Sequence, residues 1–198
     1  MKRFGKILLG LLALALVGVL FGLWHASTAR GADERYHAGI PKTLVLSSES
    51  FVADGQIPSA FTCKGSGSSP QLLWTAAPEN TQSYALVMMD WDGPSPYFRL
   101  GDFTHWILYD VPPGTHEIKG SVTAADLAQA KIKAGNNSLG ASDYTPPCPP
   151  MGTHRYLFRL YALDVPALHP VSRDREAIFD AMRGHVLAFG ELRGLFGG

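Results

Sequence analysis

Tyr84-Ala85-Leu86-Val87-Met88-Met89-Asp90, closed by Trp91-Asp92-Gly93-Pro94-Ser95-Pro96, is the stretch on which the fold turns. Seven residues without a helix-period break, ended by glycine and prolines, are too short for a helix and read as a strand followed by a turn-rich loop. The side-chain period of two puts Tyr84, Leu86, Met88 and Asp90 on one face, so a carboxylate ends an apolar row. The same grammar recurs along the chain. Leu44 to Ser47, Leu72 to Trp74, Phe103 to Asp110 and Tyr156 to Asp164 are also short apolar segments. Pro58, Gly65 to Pro70 and Pro112-Pro113-Gly114 punctuate them. Such spacing predicts a mainly β fold, an antiparallel β-sandwich.

Two helices complete the expectation: a short peripheral one over Thr123 to Lys131, and a longer C-terminal helix from about Arg173. Ser172 is the candidate N-cap of the second, with Asp174 and Glu176 in its first turn. Phe179, Met182, Val186, Phe189, Leu192 and Phe196 recur every three or four residues and would form that helix's core stripe.

The 198 residues carry 17 Lys+Arg and 17 Asp+Glu. The balance is uneven along the chain, because residues 1–31 hold Lys2, Arg3, Lys6 and Arg30 and no acid. The remainder is therefore acidic and has no basic run with interleaved aromatics, which argues against a nucleic-acid partner. Lys2, Arg3 and Lys6 precede Ile7 to Trp24, 18 residues without a charge. As a helix this run is roughly 27 Å long, close to the hydrocarbon thickness of a bilayer. Residues 1–31 thus read as a signal peptide, with Ala29 and Gly31 as small residues at a cleavage point, or as an uncleaved membrane anchor over 7–24. Residues 32–42 then form a tether and residues 43–198 one domain. That domain is expected outside the cytoplasm, periplasmic or secreted if cleaved and membrane-anchored if not.

Cys63 and Cys148 are the two cysteines, both among turn formers, and they allow one bridge. An oxidising compartment favours that bridge over two free thiols. The spacing rules out a CxxC redox centre.

Further polar groups end apolar rows as Asp90 does. Alternation places His105 with Ile107 and Tyr109, and His154 and Tyr156 with Phe158 and Leu160. Taken singly, a strand-end Asp caps a turn and a half-buried His satisfies a backbone group. Their spacing matches no metal signature, no Gly-x-Ser-x-Gly elbow is present, and no nucleotide loop appears, so neither metal nor cofactor is expected.

Four stretches together carry a family resemblance. They are Leu86 to Pro94, Phe103-Thr104-His105-Trp106, Asp110-Val111-Pro112, and Pro147-Cys148-Pro149-Pro150-Met151-Gly152-Thr153-His154-Arg155-Tyr156. In these, and in Phe61-Thr62-Cys63 with Ser69-Pro70 and Trp74, the chain resembles the phosphatidylethanolamine-binding proteins, in particular their bacterial Raf-kinase-inhibitor-like branch. Trp91 and Gly93 stand where that family usually has proline and alanine. The resemblance implies an antiparallel β-sandwich with one small anion pocket lined by Asp90, His105, His154 and Tyr156. It also implies a small phosphate-bearing anion or phospholipid headgroup as ligand, with an acidic group of a protein partner, such as a kinase or protease under regulation, as a further role. Binding is expected rather than catalysis. The alternative is a hydrolase using Asp90, His105 and His154 for acid–base chemistry.

Overall fold

The computed structural model describes residues 2–198; the side chains of residues 1–5 and of Leu8, among them Lys2 and Arg3 of the basic flank, lie outside that description. In chain order the elements are α1 (Lys2–Ala38), β1 (Val45–Ser47), β2 (Leu72–Thr75), β3 (Ser83–Gly93), β4 (Gly101–Val111), β5 (Glu117–Ile118), α2 (Ala124–Gln129), β6 (Lys133–Ala134), β7 (Thr153–Leu163), α3 (Arg175–Met182) and β8 (Val186–Gly197). Two antiparallel sheets form, a small one in the order β1-β2-β5 and a larger one in the order β6-β4-β3-β7-β8.

The expected sandwich is present, and the alternation explains its layers. Tyr84, Leu86 and Met88 of β3 join Tyr156, Phe158 and Leu160 of β7 against Leu46, Leu72, Trp74 and Ile118 of the small sheet. The intervening residues Ala85, Val87 and Met89 face the other way, onto Ile178 and Met182 of α3. β3 is therefore covered on both faces, which is why its sequence reads as a continuous apolar run. The short helix α2 forms where expected, with Thr123 and Asp126 making a reciprocal capping box.

The C-terminal helix expected from Arg173 stops at Met182, and the chain ends in the strand β8. Asp174, not Ser172, is the N-cap; the Ser172 hydroxyl donates to the Asp174 carboxylate at 3.0 Å. Gly184, at φ +82°, turns the chain just past the helix end. β8 then pairs with β7 over the whole span from Val186↔Leu163 to Gly197↔Thr153. Its other edge is closed by residues 41–44 and 54–57, as in Leu44 N–H to Phe189 O (3.3 Å) and Ile57 N–H to Leu195 O (2.7 Å). The stripe read as one helix face is divided: Phe179 and Met182 of α3 join Val186 and Phe189 in the cluster between that helix and the large sheet, whereas Leu192 and Phe196 enter the inter-sheet core.

The stretch expected as a tether is also different, because α1 continues through it to Ala38. Gly22, Ala26, Ala29, Asp33 and Tyr36 recur at three or four residues and are the less exposed face of this helix. That face docks on the large sheet. Arg159 of β7 donates from Nη1 to both Asp33 carboxylate oxygens at 2.8 Å, and from Nε to Glu191 at 2.8 Å. His37 Nε2 lies 2.8 Å from the Tyr161 hydroxyl, and Tyr36 packs edge-on against Phe179.

Candidate functional site

The site is built where β3, β4 and β7 end together. Asp90 of β3 stands opposite Phe103 of β4 and Tyr156 of β7 in the sheet register, so its carboxylate lies between the two strands that carry the histidines. Asp90, His154 and Tyr156 face the inter-sheet core, as alternation requires. His105 does not follow the simple alternation. Between Met88↔Trp106 and Met89↔Thr104 the register slips by one, leaving His105 as the extra residue of a β-bulge on β4. Instead of sharing a face with Ile107 and Tyr109, its ring sits edge-on to Tyr156 at 5.2 Å and 4.7 Å from the Phe103 ring. The bulge thereby brings all four residues together.

Each polar group then has a defined partner, with one exception. His154 donates from Nδ1 to Asp90 Oδ2 at 2.7 Å, while its Nε2 lies 3.2 Å from Met151 O. The other Asp90 oxygen accepts the Asp92 backbone N–H at 2.7 Å. His105 donates from Nδ1 to Thr145 O at 2.7 Å, which leaves Nε2 as the lone-pair nitrogen of the neutral ring. Burial lowers the His105 pKa, outweighing the Thr145 bond and the Asp90 charge that act to raise it. The exception is the Tyr156 hydroxyl, which is fully buried and has no hydrogen-bond partner among the described residues. Burial, assisted by the Asp90 charge, pushes its pKa far up, so the group is a proton donor.

Sequence reading missed the groups that hold this arrangement. Asp92, buried, accepts from the Arg155 backbone N–H (3.0 Å) and from Arg155 Nε (2.8 Å), and lies 3.1 Å from Arg99 Nε. Burial acts to raise the Asp92 pKa, but the Arg155 bonds prevail and hold it below the usual carboxylate range. Both residues lie inside the quoted motifs, so their charge and proximity to Asp90 and His154 were the available signal. Thr145 and Met151 act through backbone carbonyls, which no side-chain pattern announces. These two residues flank Cys148, and the expected Cys63–Cys148 disulfide is formed. With Cys63 N–H to Pro147 O (3.1 Å) and the Tyr144 hydroxyl to Phe61 O (2.8 Å), it fastens the segment that serves both imidazoles.

Among the described residues, no group of three or more His, Cys, Asp or Glu is placed to hold a metal ion. Nor does either imidazole bond a serine, threonine or cysteine side chain there. The arrangement offers one free phenolic donor, one imidazole lone pair and an Asp–His pair, enclosed by apolar rings.

Comparison with known proteins agrees with this architecture. A UPF0098 protein of Methanothermobacter thermautotrophicus is 38% identical over 151 residues, covering 76% of this chain and 97% of that protein. The crystal structure of a phosphatidylethanolamine-binding protein homologue from Chlamydia trachomatis superimposes with a TM-score of 0.70 at 32% identity, over 79% of this chain and 99% of the other. Escherichia coli YbcL shares the fold, with a TM-score of 0.70 at 20% identity over the same shares of the two chains. The family profile for phosphatidylethanolamine-binding protein matches residues 47–197, from β1 to the end of β8. By that match and by the identity to its relatives, the chain belongs to the phosphatidylethanolamine-binding protein family.

Proposed function

We propose that this is an extracytoplasmic binding domain, held at a membrane by its N-terminal helix, that grips a phosphate-bearing group with Tyr156 and His105, beside the Asp90–His154 pair, without turning it over. The single observation that carries the reading is the Tyr156 hydroxyl. A buried donor without an acceptor costs about 1–3 kcal/mol, a cost that an anionic oxygen of a ligand would relieve. Neutral His105 offers that anion a lone pair, so tight binding requires the ring to take up a proton. The resulting imidazolium then donates from Nδ1 to Thr145 O and from Nε2 to the ligand. Asp90 opposes an anion but supports this positive charge. Free phosphate, a phospholipid headgroup and an acidic side chain of a protein partner all present suitable oxygens. The hydrolase alternative would rest on His105 Nε2 as the base, since the ring nitrogens of His154 face Asp90 and a backbone carbonyl.

Support for the anchor lies in α1. Leu9, Leu12 and Leu14 are exposed to solvent, and Leu9–Ala38 is long and apolar enough to cross a bilayer. Cleavage at Ala29 or Gly31 would remove buried Ala26 and leave the docked Asp33–Tyr36–His37 turn behind. The mass of the mature N-terminus decides between the two forms.

Calorimetry of the full chain in detergent with inorganic phosphate and with phosphoethanolamine, at several pH values, tests the binding site. Affinity should rise as pH falls through the neutral-to-acid range, with net proton uptake on binding. Tyr156→Phe and His105→Ala should each weaken binding about tenfold or more, as expected for a hydrogen bond to a charged group worth about 1.5–3 kcal/mol. Equal affinity in all three proteins would place the anion elsewhere. Ligand turnover lost in His105→Ala would favour the hydrolase.

A further inference from the structure

The docked helix has a direction, and that direction orients the domain. Along the large sheet, His37 meets Tyr161, Asp33 meets Arg159, and Arg30 Nη1 donates to Arg99 O at 3.2 Å. Arg30, Asp33 and Leu157 line one groove. Followed toward its N-terminus, α1 therefore runs down β7 from residue 161 toward residue 153, to the end of the sheet where Asp90, His154 and Tyr156 lie. It leaves the domain at Gly22, where an added Cβ would lie 3.5 Å from Leu100 Cδ2. Gly22 is also inside the apolar run Ile7 to Trp24. Leu100 thus stands level with the end of the segment that enters the bilayer, and the remaining 16 residues down to Lys6 extend about 24 Å further as helix.

The loop leading to Leu100 has the composition of a membrane interface. Tyr97 is 87% exposed and Phe98 56% exposed, with Arg99 between them and Leu100. Aromatic residues are enriched at the headgroup level of membranes, where their rings enter the acyl boundary. The turn that covers His154 joins the same surface. A Cβ on Gly152 would lie 3.2 Å from Pro96 Cδ and 4.0 Å from Tyr97 Cε2, and Met151 beside it is 51% exposed.

We infer that the loop Pro94–Leu100, with Met151, is a lipid-contacting surface that rests in the interface of the bilayer crossed by residues 7–24 and sets the candidate site against the phospholipid headgroups. The inference rests on the anchor reading above. It commits to the lipid surface because the apolar helix and the aromatic loop leave the domain at one end and at one level. A ligand attached to a bilayer would then reach the site without being extracted far from it.

Fluorescent labelling of single introduced cysteines tests this in the full chain, since the described cysteines are paired in the disulfide. Probes sensitive to polarity go on Phe98→Cys, on Leu16→Cys within the apolar helix, and on Asn80→Cys. Asn80 is exposed and precedes the far end of β3, about 30 Å from the loop. Tyr97→Cys serves as a second loop position should Phe98→Cys not fold. The proteins are reconstituted in vesicles of phosphatidylethanolamine and phosphatidylglycerol with or without lipids carrying a shallow nitroxide. The loop probe should show blue-shifted emission and several-fold stronger quenching than the Asn80 probe, with the Leu16 probe buried in the membrane. A loop probe that matches Asn80 while Leu16 is embedded would overturn the inference and leave the anchor standing. A Leu16 probe that stays in water would overturn the anchor, and this inference with it.

Discussion

A phenol buried without an acceptor is a standing cost to the folded state, and at Tyr156 it separates stability from binding. Tyr156→Phe keeps the ring against His105 and Phe158 but removes the orphaned hydroxyl. Its unfolding free energy should be unchanged or higher by up to about 1 kcal/mol, even as anion binding falls, because the desolvation cost goes with the group. Denaturant titration beside calorimetry checks this; a loss of stability matching a large-to-small core change would show that the hydroxyl is already satisfied. The four site residues together teach a complementary lesson. Alternation alone put Asp90, His154 and Tyr156 on the core face. It misassigned His105, because a bulge is set by how two strands settle against each other, and nothing local to Phe103-Thr104-His105-Trp106 announces it.

At the scale of elements, β8 is held by close backbone approach. Gly190 and Gly194 face residues 44 and 57, and an added Cβ would come within 2.5 Å of Leu44 O at the first and of Ile57 Cγ1 at the second. Gly190→Ala should therefore destabilise the protein by about 1–3 kcal/mol, since a backbone carbonyl cannot move aside as a side-chain end can. Gly114→Ala, which meets open space, is the control and should change little; equal thermal midpoints for the two variants would refute the packing argument. The same glycines explain the misread helix. Apolar residues from Phe179 to Phe196 do recur at helical spacing. Yet glycines at 184, 190 and 194 each weaken a helix by about 1 kcal/mol, and β7 offers a partner along the whole length of β8.

For the molecule as a whole, the Cys63–Cys148 bridge closes a separation of 85 residues and ties the loop after Pro58 to the wall of the site. Cys148→Ser should lower unfolding free energy by about 2–5 kcal/mol. It should also weaken anion binding, because Thr145 and Met151 on either side of it hold the two imidazoles. An unchanged melting temperature on reduction would contradict this. The pairing itself was determined by sequence, since two cysteines permit one intramolecular bridge. So were the β class, the layer alternation of β3 and β7, the short helix α2, the apolar N-terminal run and the residue types of the candidate site. All of these depend on contacts within a few positions or on composition. Tertiary structure alone decided the face of His105, the strand at the C-terminus, and the continuation of α1 onto the sheet toward Gly22. Each of those was settled by a partner outside the segment itself: β3 for the bulge, β7 for β8, and Arg159 with Tyr161 for the helix. Periodicity records which side chains share a face, but the face that is buried depends on what folds against it.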